Sequence, residues 1–290
     1  MPLELLLSME RAFKYWGFVL KEQKFWFTIV TAWILSSLTM WIGSALLSSS
    51  PIAGMFLIEG SKLVATFVFS LFYFLIGAGF KRGIAHFEEE YAKLPWGTLF
   101  KFIPAAIGWI IGSFFLTVVL VGLYLLPFPF LGVDSIPRFL SELQVNPIEA
   151  LQMVQPILIW TAIYLIYVIF VITNLYGKVG EAYMAGTFIG AVKPFVTALY
   201  DISYFRALGN KHLFVNSLSV IGVSILLGLL FWIINLGIQF ITSTAGLSFY
   251  LVAENLLNVL QNGIMGSLIA VASIFAHFSA IEKRSRQNRS

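Results

Sequence analysis

The chain has 290 residues, 59% of them hydrophobic and only 11% charged, with a mean hydropathy of +0.89. A soluble domain needs about a quarter of its residues charged, so this much apolar surface requires lipid to cover it. The net charge of +4 does not indicate nucleic acid, because the basic residues flank apolar runs, and the absence of Cys excludes disulfides, thiolate metal sites and cysteine nucleophiles.

Residues 1–25 open with Met-Pro-Leu-Glu-Leu-Leu-Leu, which lacks the basic start and the small-residue cleavage site of a signal peptide. Glu4, Ser8, Arg11, Lys14, Lys21 and Lys24 then recur at steps of three and four or their sum. Leu5, Met9, Phe13, Trp16 and Leu20 fall largely on the other side. This predicts an amphipathic helix on the inner membrane surface, with Arg11, Lys14, Lys21 and Lys24 meeting anionic lipid headgroups. Anchoring is its simplest role.

Six apolar runs follow, at 26–47, 63–80, 102–126, 157–175, 214–241 and 251–278. Each is at least about 18 residues, enough at about 1.5 Å per residue to cross most of a hydrocarbon core of about 30 Å. The expected fold is therefore all-α: a polytopic bundle of six transmembrane helices over 26–278, with amphipathic interfacial helices and a basic tail at 279–290. Glu254 is the only charged side chain within the runs.

Orientation comes from the cations. Sixteen of the eighteen Lys and Arg residues lie in the N-terminal arm, residues 81–101, residues 178–211 and the tail, leaving only Lys62 and Arg138 elsewhere. Cytoplasmic loops carry such an excess, so both termini are expected in the cytoplasm of a cell-membrane protein. Lys81, Arg82, Lys283 and Arg284 are further candidates for headgroup contact.

In the loop 81–101, Glu89 and Lys93 have the spacing of a helical ion pair, and Pro95 ends that helix. A solvated short helix and a docking surface for a cytoplasmic partner both fit. The membrane CAAX-protease motif does not: Glu88-Glu89 is followed by Lys93 where that motif has Arg, and no His has Phe four positions before it. On the other side, Asn146-Pro147-Ile148-Glu149 reads as a helix start. Ile136, Phe139, Leu140 and Leu143 suggest a second short helix, acting as a closing cap or as a lid.

Residues 178–211 are too polar to span, yet rich in small and aromatic residues, and are expected along the inner surface, interrupted by Pro194. Together with residues 11–25 and 81–101 they suggest a unit used three times: a basic surface segment followed by a two-span hairpin.

Polar groups inside the membrane concentrate in the last hairpin. Asn255, Asn258, Asn262, Gly266, Ser273 and His277 trace one helical face, with Glu254 and Gln261 beside it, and Asn235 and Gln239 lie one turn apart on the fifth span. Unpaired amides in hydrocarbon are costly, so these groups must meet each other, another helix or water. Asn235, Gln239, Glu254, Asn258, Gln261 and Asn262 are thus candidates for a structural hydrogen-bonded seam or for a polar pocket.

Enzyme motifs are lacking. His86, His212 and His277 are the only histidines; His86 and Glu90 share metal-pair spacing without an H-E-x-x-H pattern, and Asp134 and Asp201 fall on opposite faces. No nucleophile elbow, P-loop or dinucleotide turn occurs, so no catalysis, cofactor or metal is expected.

Gly77-Ala78-Gly79-Phe80-Lys81-Arg82, running through Leu94-Pro95-Trp96 into the third span, resembles the second-loop pattern of the DUF4013-type archaeal and bacterial integral membrane proteins. Ala182-Tyr183-Met184-Ala185-Gly186-Thr187-Phe188-Ile189-Gly190-Ala191 is similar to the second half of that family. The resemblance implies a six-span bundle with no established activity. The expected role is a noncatalytic membrane component, in assembly or as a lipid-facing scaffold, beside anionic lipids and other membrane subunits. The alternative is the permease subunit of an ABC-2-type exporter, with residues 83–94 as coupling helix and a cytoplasmic ATPase as partner.

Overall fold

The computed structural model describes residues 2–126, 147–203, 211–245 and 247–287, which form ten α-helices and, among the described residues, no strand. They are α1 (Pro2–Lys21), α2 (Gln23–Leu46), α3 (Pro51–Gly79), α4 (Phe87–Lys93), α5 (Thr98–Lys101), α6 (Ile103–Leu125), α7 (Pro147–Ala185), α8 (Phe188–Thr197), α9 (Lys211–Ala245) and α10 (Leu247–Gln287). Helices α2, α3, α6, α7, α9 and α10 are long and apolar enough to cross a membrane. The chain is a multi-pass membrane protein with an all-α bundle.

Several helices outrun the apolar stretches that announce them. Helix α3 begins at Pro51, twelve residues before the predicted span at 63–80, with proline at its first turn where a missing N–H costs nothing. Glu59 and Lys62 do not end it, because at i,i+3 they pair with each other at 2.7 Å on the helix surface. Helix α7 runs from Pro147 through Pro156 and Lys178 to Ala185, so the opening of the predicted surface segment 178–211 is a continuation of the fourth span. Helices α9 and α10 likewise exceed 214–241 and 251–278, and α10 takes in most of the predicted tail. Residues 136–143 and Asn146 lie outside the described residues.

Helix α1 ends at Lys21, and an extended Glu22 (φ −73°, ψ 139°) separates it from α2. The other surface pieces are α4 with α5, and α8. Each packs on the hairpin that precedes it. Phe87 and Tyr91 of α4 lie against Gly79 of α3. Phe188 and Phe195 of α8 lie against Gly108 and Gly112 of α6. Helix α1 closes the ring on the last hairpin: its Trp16 Nε1 donates to Ser267 Oγ of α10 at 3.1 Å, and Tyr15 meets the Phe275 ring at 5.6 Å. In chain order a surface segment precedes each hairpin, as the expected unit has it, but its packing is on the hairpin before it.

Helices α3, α7 and α10, the second member of each hairpin, run in the same direction through the middle and meet at the end that carries the basic clusters, here called the basic end. Their contacts are set by glycine. A Cβ on Gly77 of α3 would overlap the Tyr183 backbone of α7, one on Gly180 of α7 the Ser273 backbone of α10, and one on Gly266 of α10 the Tyr73 hydroxyl of α3. Without a hydrophobic force between helices in lipid, such close approach is what dispersion forces require.

The Gly180 contact generates a test. Gly180→Val should destabilise the detergent-solubilised protein by about 1–3 kcal/mol, the usual cost of overpacking, read as a lower melting temperature. Gly228→Ala, where nothing lies within 4 Å, should be neutral or should stabilise by about 0.5–1 kcal/mol. Equal responses at the two positions would contradict the packing.

The surface turn after α8 is held by a second feature. Lys178 of α7 pairs with Asp201, whose Oδ1 also accepts from Ser203 N at 2.9 Å. These hydrogen bonds lower the Asp201 carboxyl to about 2 from its ordinary 3.8. Because the folded value is the lower one, the stability from this pair is full above about pH 4 and fades as pH falls toward 2. Asp201→Asn should therefore cost roughly 0.5–1 kcal/mol, constant between pH 5 and 8, in thermal denaturation. A difference that varies across that range would contradict the assignment.

Candidate functional site

The basic end is sealed. Phe80 and Phe87 stack at 3.9 Å, Tyr15 and Phe18 of α1 meet Phe87 edge-on at 5.4 and 5.9 Å, and Phe72, Phe74, Phe80, Phe87 and Tyr91 are fully buried. Burial raises the Tyr91 hydroxyl above its ordinary range. Lys24, predicted to contact headgroups, does not: it is buried, and its Nζ donates to Tyr91 O at 2.6 Å and Ala92 O at 3.1 Å, 4.8 Å above the Tyr91 ring. A cation on the last carbonyls of α4 complements that helix's dipole, so Lys24 ties the start of α2 to α4.

The other predicted headgroup residues divide. Lys14 pairs with Glu88 at 3.4 Å and Arg82 with Glu90 at 2.8 Å, whereas Lys21 and Lys81 are exposed cations. Lys93 pairs with Glu89 as the spacing predicts, and this raises the lysine and lowers the glutamate from their ordinary values. The side chains of Arg11, Lys283 and Arg284 lie outside the described residues.

At the opposite, far end α7 loses its burial, while α3 and α10 stay packed through Ala65, Phe69, Val259 and Gly263. Between residues 155 and 170 of α7 no residue is buried, whereas Val171, Asn174, Gly177, Val179 and Gly180 below them are. Leu165, Ile166 and Ile169 share the helix face of Tyr183 and Gly180 by their three- and four-residue steps, yet Ile166 is 69% and Ile169 63% exposed. A shallow apolar hollow on α7 is lined by Ile163, Ile166, Tyr167, Ile169 and Phe170, of which Tyr167 and Phe170 also pack toward Leu116 of α6 and Phe195 of α8. On α10, Asn258, Asn262 and Ile269 continue the face of Ser273 upward and are exposed. On α3, Glu59, Lys62 and Thr66 continue the face of Tyr73 and Gly77 and are exposed as well. Among the described residues these three faces are thus exposed at their far ends. Below them the Tyr73 hydroxyl donates to Asn262 O at 2.9 Å, above the Tyr73–Tyr183 ring contact at 5.9 Å.

Among the described residues the predicted polar groups are divided between different neighbours. Asn255 instead bonds the first span, its Nδ2 donating to Ser36 Oγ at 3.0 Å and Ser37 Oγ at 2.8 Å. Asn258 and Asn262 are exposed, and Glu254 and Gln261 are half-buried on the helix face of Leu268 and Ala272, which pack with Val220 of α9. Glu254 makes no ion pair among the described residues. Asn235 is half-buried, its Oδ1 enclosed without a hydrogen-bond partner, and Gln239 is exposed. Sequence reading missed Lys62, Thr66 and Tyr73 as members of the same site. Their common face was readable from the spacing 62, 66, 73, 77, but only once α3 was known to begin at Pro51.

Chemically, the exposed far ends of α3, α7 and α10 offer amide and hydroxyl donors and acceptors, the Glu59–Lys62 ion pair and the branched aliphatics of α7. No group of three or more His, Asp or Glu able to hold a metal occurs among the described residues. Compared with family models, curated proteins and solved structures, the chain matches none.

Proposed function

We propose that this protein is a noncatalytic component of the cell membrane, with both termini in the cytoplasm, that receives a membrane-borne ligand in a cleft between its three hairpins. The observation that carries this reading is the contrast along one set of helix faces. Where α3, α7 and α10 meet at the basic end they are joined through glycines; toward the far end the same faces are exposed and carry Lys62, Thr66, Asn258 and Asn262. A bundle that served only as a scaffold would have reason to close those faces, since exposed amides in hydrocarbon are costly. Membership in the DUF4013-type family belongs to the same proposal, and the six-span layout is what supports it.

A second reading, the permease half of an ABC-2-type exporter, draws support from α4. It lies between the second and third spans, with Phe87 and Tyr91 buried inward and the Glu88 and Glu89 side chains partly or largely exposed. An ATPase retained through gentle solubilisation and affinity purification is the expected outcome of that reading; a chain that purifies alone speaks for the first.

The absence of native Cys makes the cleft directly testable. Asn258→Cys and Thr66→Cys should react in intact cells with a membrane-impermeant maleimide, while Ser273→Cys, buried at the basic end, should not. A reporter fused after Ser290 should be active only as a cytoplasmic one. Unreactive positions 66 and 258 would reject the cleft, and external reporter activity would reject the orientation.

A further inference from the structure

We infer that α8 is a re-entrant helix: it enters the leaflet on the basic side, lays its outer face against acyl chains, and holds the phosphate of an anionic phospholipid at Lys193. Its climb is traced along α6, which runs as a span from Ile103 to Leu125. Gly186, with φ +61°, turns the chain against Phe102, at the basic end of α6. Phe188 then packs on Gly108 and Phe195 on Gly112, so about 10 Å of α8 gains about 6 Å of height at about 1.5 Å per residue. A ladder on α7 places the end of α8. Trp160 Nε1 donates to Tyr124 O at 3.1 Å, the Tyr164 hydroxyl to Leu120 O at 3.1 Å and the Tyr167 hydroxyl, about one turn lower, to Leu199 O at 3.0 Å. Leu199 therefore stands about one turn below Leu120, near Leu116 in the middle of α6, and Leu116, Phe195 and Ala198 share one apolar cluster. From there the chain turns back, and Asp201 pairs with Lys178 toward the basic end of α7.

A helix that ends at this depth needs partners for its free backbone groups, because hydrocarbon offers none. Ala198 N donates to Pro194 O and Asp201 N to Thr197 O, both at 2.9 Å. The Tyr167 phenol gives its one proton to Leu199 O. On a helix lying flat in the interface, water would meet that carbonyl.

The two faces of α8 differ. Ala191, Pro194 and Phe195 are buried, whereas Ile189, Lys193 and Val196, at steps of four and three, are exposed on the opposite face. On a helix that climbs through a leaflet, acyl chains cover Ile189 and Val196. Lys193 lies between them and makes no ion pair among the described residues, whereas Lys14 and Arg82 are already paired and Lys24 is bonded to α4. Its stem can follow the chains while its ammonium reaches a phosphate. A zwitterionic lipid brings its own ammonium to that phosphate; an anionic one leaves the charge to the lysine.

The test uses the full chain in liposomes with a fluorophore on Ile189→Cys, on Tyr200→Cys or, as a mid-span reference, on Phe114→Cys; the three native side chains are 77%, 67% and 70% exposed. Quenching is compared between phospholipids that carry a nitroxide near the headgroup and others that carry it near the chain end. Tyr200→Cys should match Phe114→Cys in favouring the deep nitroxide, and Ile189→Cys should be quenched several-fold better by the shallow one. Equal, shallow quenching at 189 and 200 overturns the re-entrant helix. For the lipid, the purified chain is titrated with phosphatidylglycerol or phosphatidylcholine of matched acyl chains and read by native mass spectrometry. Phosphatidylglycerol should be retained several-fold better, a preference reduced by Lys193→Gln and kept by Lys193→Arg. A preference that Lys193→Gln leaves unchanged overturns the phosphate assignment.

Discussion

Three glycine contacts hold this bundle together: Gly77 against the Tyr183 backbone, Gly180 against the Ser273 backbone, and Gly266 against the Tyr73 hydroxyl. Lipid tails are as apolar as leucine, so helices in a membrane gain little by hiding apolar side chains from one another. They associate where small residues let backbones come within dispersion range. All three contacts lie toward the basic end. Above them, Gly263 still brings α10 against Phe69 of α3 and Ile29 of α2, whereas α7 carries no buried residue between 155 and 170.

The rest of the architecture follows that asymmetry. Aromatic rings fill the space around the glycine contacts, and each surface segment braces the hairpin before it, with α1 completing the circle on α10. Lys24 adds a polar fastening by placing its ammonium on two carbonyls at the end of α4. The basic end is thereby rigid and closed. On the proposed reading function belongs to the far end, where α7 is unburied and Lys62, Thr66, Asn258 and Asn262 are exposed.

Class and layout were legible in the sequence because both rest on composition: long apolar runs need lipid, and cations collect between them. Helix ends were less so. Glu59 and Lys62 look like a loop until they are seen to neutralise each other one turn apart, and the small polar residues from Lys178 to Ala185 look like a surface strip although they pack inside the bundle as part of α7. The amide stripe of the last span was readable from periodicity, but its partners were not. Asn255 finds Ser36 and Ser37 more than two hundred residues away, a pairing that depends on which helices are neighbours. Lys24 misled for a related reason: its charge fits a headgroup as well as it fits a helix terminus, and only the position of α4 decides between them.

The central claim is that α7 and α10 touch at the basic end and separate toward the far end. Because the chain has no Cys, pairs of spin labels can be placed at will, and pulsed electron resonance in lipid nanodiscs measures the separations directly. The account predicts a longer and broader distance for labels at Leu165 and Asn258 than for labels at Glu181 and His277. Equal, narrow distances for the two pairs would mean that the helices run together along their whole length, and the cleft would not exist.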